Sequence, residues 1–195
     1  MSTTRTVWVG GPSEESDMTV GSVVPTGHER TFGEDEFIVS KTDLQGRITY
    51  VNDVFLRVTT YTEDEVMGRP HNIIRHPDMP RAVFGLLWSE IAAGREVSAY
   101  VKNLAKDGAH YWVFAHVGPT VRDGRIVSYH SNRRVPDRAA VAAVEPVYAA
   151  LLAEERRHSH PVQAIAASTA LLGRVLEEQG VDYDQFVWSI TGVSA

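Results

Sequence analysis

The chain has 195 residues, of which 43% are hydrophobic, and a formal net charge of -6 at pH 7. It contains no cysteine, so disulfides, thiolate metal sites and a cysteine nucleophile are excluded. The acidic balance argues against a nucleic-acid partner, and no apolar run approaches the roughly 20 residues that span a bilayer. The N-terminus lacks a signal-peptide pattern, so the sequence predicts a soluble, cytoplasmic protein.

The first 34 residues are rich in Ser, Thr, Gly, Pro and Glu, and their hydrophobic residues are too scattered to build a core. We predict a flexible N-terminal arm over residues 1–34, in which only Val7-Trp8-Val9 has the composition of a short strand. Two β-branched runs follow, at residues 37–42 and 47–51, on either side of a turn that contains Gly46. This pattern predicts a β-hairpin.

Short helices are predicted next. Asn52 is suited to cap a helix that begins near Val54. Thr62, with Glu65 three residues later, has the pattern of a capping box for a second short helix.

The segment from Pro70 to Trp88 combines two histidines, two arginines, an aspartate, a phenylalanine and a tryptophan. Pro77 and Pro80 predict a bend, and Pro80 also suits the first turn of the helix that follows. Phe84 and Trp88 are four residues apart and therefore share one face of that helix. A polar bend beside an aromatic face suits a flat, charged ligand, and equally suits a capped loop over a core.

Three strands are predicted over residues 97–104, 110–120 and 125–135, separated by Gly-containing turns. Two strands, short helices, a longer helix and three strands predict an α+β fold, with an antiparallel sheet and helices against one face. Arg133 and Arg134 end the last strand, where we expect a solvated edge. Amphipathic helices over 138–157 and 162–179 follow, and a last short turn is expected at Asp182–Trp188.

Several short motifs resemble one known family. They are Thr42-Asp43-Leu44-Gln45, Asn52-Asp53-x-Phe55, Tyr61-Thr62, Gly68-x-Pro70-His71-Asn72, Arg75-His76-Pro77-Asp78-Met79-Pro80, Val101-Lys102-Asn103, Gly108-x-His110-Tyr111-Trp112-Val113 and Val144-Glu145-Pro146-x-Tyr148. Together they resemble a PAS domain of the flavin-binding type found in bacterial aerotaxis receptors. The resemblance implies a PAS fold, with five antiparallel strands in the order 2-1-5-4-3. We therefore divide the chain into an arm (1–34), a PAS sensor domain (35–136) and a C-terminal helical extension (137–195).

The same resemblance implies a pocket that binds FAD without a covalent bond. Carried over residue by residue, the motifs imply cofactor-binding roles for Asn52, His71, Arg75, His76, Asp78, Phe84, Trp88 and Asn103. Phe84 and Trp88 would cover the flat ring system, the two asparagines would meet its polar edge, and Arg75 would bind the pyrophosphate. No catalytic or metal-binding residues are assigned, and we do not expect an enzyme.

Two positions depart from the family pattern: Val97 stands where a tryptophan is common, and Leu104 where an arginine is common. Both positions alter how firmly the adenosine end of FAD would be held, so FMN, or no tightly held cofactor, stays open. Haem is a further alternative, and His71 and His76 are the histidines best placed to be its axial ligand.

The sequence therefore predicts a PAS sensor that signals redox state or oxygen through FAD to an unidentified signalling protein. We expect a homodimer formed through the N-terminal arm or the C-terminal helices, with no nucleic-acid partner and no membrane span. A cofactor-free dimerisation or docking module, a haem-binding gas sensor and a small flavoenzyme are the alternative functions.

Overall fold

We analysed a computed structural model, which describes residues 23–191. Its elements, in chain order, are β1 (Ile38–Thr42), β2 (Ile48–Val51), α1 (Asp53–Thr59), α2 (Glu63–Val66), a 3-10 helix (His71–Ile74), α3 (Arg81–Ala92), β3 (Val97–Leu104), β4 (His110–Arg122), β5 (Arg125–Arg134), α4 (Arg138–Glu155), α5 (Pro161–Gln179) and α6 (Tyr183–Ser189). The predicted strands and helices are present. The last segment, for which a short turn was predicted, forms helix α6.

The five strands form one antiparallel sheet in the order β2-β1-β5-β4-β3, which confirms the predicted topology. The β1–β2 turn is fixed by the Asp43 carboxylate, which accepts hydrogen bonds from the backbone N–H groups of Gln45 and Arg47 at 2.9 and 2.8 Å. The β4–β5 turn places Asp123 and Gly124 at positive φ, as a tight two-residue hairpin turn requires.

Cross-strand register divides the sheet into two faces, because directly opposed residues of antiparallel strands point the same way. We define the inner face by the following side chains: Ile38, Ser40, Thr42, Val97, Ala99, Val101, Asn103, Tyr111, Val113, Ala115, Val117, Tyr129, Ser131 and Arg133. Helix α3 covers this face, since the Trp88 ring meets the Tyr129 ring edge-on at 5.6 Å. The short helices α1 and α2 and the 3-10 helix complete the inner layer.

The C-terminal helices fold back onto the domain. Helix α4 lies on the outer face, where the Tyr148 hydroxyl donates to the backbone C=O of Tyr100 at 2.7 Å. Helix α6 packs nearby, with the Trp188 and Phe114 rings 5.5 Å apart. Helix α5 packs against α3 and α4. None of the helices within residues 23–191 is long and apolar enough to cross a membrane.

The described part of the predicted N-terminal arm, residues 23–34, lies along the start of β4. The backbone N–H of Thr26 donates to the C=O of Gly108 at 2.9 Å, and that of Arg30 to the C=O of His110 at 2.7 Å. Phe32 joins the core cluster and is buried. The strand candidate Val7-Trp8-Val9 lies outside the described residues, and the division of the chain into three domains stays a prediction.

Candidate functional site

The inner face carries an unusual set of polar atoms. Five buried side-chain atoms on it have no hydrogen-bond partner within the described chain: Thr42 Oγ1, Asn103 Nδ2, Tyr111 OH, Ser131 Oγ and Arg133 Nη1. Leaving such an atom unpaired costs about 1–3 kcal/mol each, so native interiors contain few of them. We call these five residues the inner-face polar cluster. Their donors and acceptors are suited to a ligand with a polar edge.

Arg133 dominates the electrostatics of this cluster. It is 4% exposed, although the sequence predicted a solvated position for it. That prediction was wrong because β5 is a central strand of the sheet, flanked by β1 and β4, rather than an edge. Only Arg134, which points to the other face, is exposed. Burial lowers the pKa of Arg133 to about 10, which still leaves the guanidinium charged at neutral pH.

The partners of Arg133 are neutral groups. Its Nη2 donates to Ser40 Oγ and to His71 Nε2, both at 2.7 Å. Burial, followed by the charge of Arg133, lowers the pKa of His71 to about 3. The His71 imidazole is therefore neutral and accepts at Nε2, which leaves its proton on Nδ1. His71 reaches this position because it begins the 3-10 helix, whose backbone is tied to Gly46.

Asn52 has a structural role in this geometry. Its Oδ1 accepts from the backbone N–H of Phe55, which caps α1, and from that of Val39 on β1, both at 3.0 Å. Its Nδ2 donates to the Phe37 C=O at 2.7 Å. The cap predicted from sequence is therefore confirmed, and the side chain joins α1 to the first strand.

The bend between the 3-10 helix and α3 holds three of the predicted site residues. The Arg75 side chain donates to the Met79 C=O at 3.0 Å. His76 Nδ1 accepts from the Asp78 backbone N–H at 3.0 Å, and Asp78 faces Lys102 at 3.5 Å. Burial is the main cause that lowers the pKa of His76, to about 4.

The two aromatic residues of α3 lie at different ends of the inner layer. The Arg75 guanidinium lies 5.1 Å from the centre of the Phe84 ring, and the backbone of Arg75 bridges to Asn103 on β3. Trp88 contacts Tyr129 on β5 instead. Helix α3 therefore crosses the inner face, with Phe84 beside the Arg75 segment that bridges to β3 and Trp88 against β5.

The structure thus brings Asn103, His71, Trp88, Phe84 and Arg75 around the inner face. His76 and Asp78 lie on the bend beside β3, and Asn52 is engaged with backbone groups. Thr42, Tyr111, Ser131 and Arg133 are not among the site residues predicted from the sequence. The signal that could have found the last two is their two-residue alternation with Tyr129 along β5, which assigns all three to one face.

Comparison with known proteins shows which proteins this chain is similar to. Residues 48–133 match the family model described as the PAS fold. The chain is also 45% identical, over 126 residues, to the aerotaxis receptor of Escherichia coli strain K12, a match that covers 65% of this chain and 25% of the receptor. Residues 48–133 therefore have the PAS fold.

The chain is also similar to more distant proteins. A blue-light-activated histidine kinase of Rhizobium johnstonii is 29% identical over 127 residues, which are 64% of this chain and 37% of the kinase. A solved light-state structure of the blue-light photoreceptor Aureochrome1 LOV is 26% identical and aligns over 62% of this chain and 91% of its own, with a TM-score of 0.48. The chain therefore spans about a quarter to two-fifths of the curated relatives described here.

Proposed function

We propose that this PAS domain binds a flavin, FAD in the first instance, and signals redox state or oxygen to a protein partner. The observation that carries the proposal is the inner-face polar cluster, in a chain that is 45% identical over 126 residues to an aerotaxis receptor. A flavin combines a flat ring system with a polar edge, so it would satisfy both the unpaired atoms and the flanking aromatic rings. When bound, it would supply the redox chemistry that the side chains lack.

In this proposal the residues divide by role. Asn103 and the polar cluster bind the polar edge of the ring, because Asn103 is buried with an unpaired Nδ2. Phe84 and Trp88 cover the ring from α3. Arg75 binds the phosphate groups of FAD, with His76 and Asp78 ordering the bend that carries it. Asn52 acts indirectly, since its hydrogen bonds position α1.

A change at the flavin would be transmitted through the sheet to the C-terminal helices. Strand β3 carries Asn103 on the inner face, and the backbone C=O of its residue Tyr100 accepts the hydrogen bond from Tyr148 of α4. A change in the hydrogen bonds of Asn103 would therefore act on a strand that α4 contacts directly. The recipient we propose is a signalling protein that contacts the C-terminal helices; homodimerisation stays a prediction.

For haem, one nitrogen of each candidate histidine is already engaged in a hydrogen bond. Nε2 of His71 already accepts from Arg133, and Nδ1 of His76 accepts from the Asp78 N–H. Either residue would have to give up these contacts or rotate its ring before it could ligate iron at that nitrogen.

The experiment is a titration of the apoprotein with FAD and FMN, followed by limited proteolysis of the oxidised and reduced complexes. We expect saturable flavin binding, and a change in cleavage between α4 and α5, at residues 156–160, when the flavin is reduced. Asn103→Ala should weaken binding, and Glu178→Ala, on the exposed surface of α5, is the control. Binding without any change in cleavage would contradict signalling through these helices and leave flavin binding standing.

A further inference from the structure

Arg133 is a buried cation that the described chain does not neutralise. It lies in the centre of the sheet with 4% of its surface exposed. Within residues 23–191 no carboxylate forms an ion pair with it. Its hydrogen-bond partners, Ser40 and His71, carry no charge. Removing a charge from water costs several kcal/mol unless a counter-charge compensates.

The other titratable group near the guanidinium does not provide that compensation. Burial raises the pKa of the Tyr111 phenol, so it stays protonated and neutral. The inner-face polar cluster therefore has a net positive charge. Since Nη1 of Arg133 also lacks a partner, the guanidinium has an unused donor as well as an uncompensated charge.

A structural role for this arginine is a poor explanation. Ser40 Oγ lies 3.0 Å from His71 Nε2 and could satisfy that nitrogen without the guanidinium. A well-packed apolar side chain in place of a buried ion is often neutral or stabilising. The charge is explained more simply if a ligand brings the negative charge that the protein lacks.

We propose that Arg133 selects a ligand with a negatively charged acceptor edge, and that for a flavin it favours the reduced anion over the oxidised ring. This inference rests on the proposed function. The reduced anion holds two electrons and one proton more than the oxidised ring, and its extra negative charge is spread over the pyrimidine edge. The electrons come from an external low-potential reductant, which is dithionite in the experiment below. A fixed guanidinium that binds this edge raises the reduction potential of the bound flavin.

The test compares the flavin-loaded wild type with Arg133→Gln and Arg133→Lys by reductive titration against a redox dye of known potential. We expect Arg133→Gln to lower the affinity for reduced flavin at least tenfold more than the affinity for oxidised flavin. For a two-electron couple, a tenfold difference lowers the reduction potential of the bound flavin by about 30 mV. Arg133→Lys keeps the charge but lacks the planar guanidinium, so its reduction potential should lie between those of the wild type and Arg133→Gln. Arg134→Gln is the matched control, because it removes the neighbouring cation on the other face.

An unchanged potential in Arg133→Gln, with flavin still bound, would overturn the inference and leave the proposed function intact. The apoprotein gives a second, independent readout. Arg133→Met should be at least as stable as the wild-type apoprotein in urea, because it removes an uncompensated charge; a large loss of stability would assign Arg133 a structural role instead. If the wild type takes up no flavin at all, the proposed function fails, and the stability of Arg133→Met alone then decides whether the guanidinium is there for a ligand.

Discussion

The Glu155 carboxylate accepts a hydrogen bond from the backbone N–H of Ala82 at 3.1 Å, which joins the end of α4 to the first turn of α3. Ser168 of α5 donates to the same oxygen at 2.9 Å. N–H groups in the first turn of a helix have no partner within the helix, so an acidic side chain is well suited to this position. Three helices therefore meet at one carboxylate, and one of them carries Phe84 and Trp88.

Replacing this carboxylate tests how strongly the C-terminal helices are coupled to α3. Glu155→Ala should lower the free energy of unfolding by about 1–3 kcal/mol, because it leaves the buried Ala82 N–H without its acceptor. Urea denaturation measures this change. Glu145→Ala, at an exposed position on the same helix, should change stability by less than about 0.5 kcal/mol. Equal changes in the free energy of unfolding for the two variants would show that the hydrogen bonds of Glu155 contribute nothing to stability.

Two asparagines predicted together from the sequence should behave differently. Asn52→Ala should cost the apoprotein about 1–2 kcal/mol, because it removes the cap of α1 and the bonds to Val39 and Phe37. Asn103→Ala should cost less, since Nδ2 of Asn103 has no partner to lose. Flavin affinity should show the reverse order, with the larger loss in Asn103→Ala once each variant is measured well below its unfolding transition. The same order of effects in both measurements would refute this division of roles.

Stability should fall as the pH is lowered from about 6.5 towards 4. In the folded protein, burial lowers the pKa of His71 to about 3 and that of His76 to about 4, whereas both titrate near 6.5 when unfolded. Between these values the unfolded chain binds more protons, so each step down in pH favours unfolding. Thermal melts at pH 7 and pH 5 measure the effect.

The matched variants for this prediction are His71→Gln, which keeps an acceptor for Arg133, and His160→Gln at an exposed position. The difference in melting temperature between pH 7 and pH 5 should shrink in the first variant and persist in the second. A wild-type melting temperature that is equal or higher at pH 5 would contradict the burial of these histidines.

The sequence predicted the order and type of the elements well because their signals are local. Turn residues such as Gly46 and Gly124, the cap at Asn52 and the capping box at Thr62 specify their own structure within a few residues. The family motifs also brought α3 and Asn103 into the predicted site.

The polar cluster could not be predicted in the same way, since it depends on strand pairing between residues far apart in the chain. Arg133 meets Ser40, which is 93 residues away, and His71, which is 62 residues away. The predicted strand order already placed β5 in the middle of the sheet, but it did not give the register that brings Arg133 close to Ser40. The docking of α5 onto α3 through the Glu155 junction depends on similar long-range contacts.

The most direct test of the central claim is the absorption spectrum of the purified protein, followed by acid release and chromatography of any chromophore. The account predicts the two absorption bands of an oxidised flavin, in the near ultraviolet and the blue, and release of FAD. FMN in its place would keep the sensor proposal and correct the cofactor. A sharp Soret band would identify haem and contradict the flavin proposal. A colourless protein that also fails to bind added FAD or FMN would contradict it as well, and would leave the cofactor-free docking module as the best account.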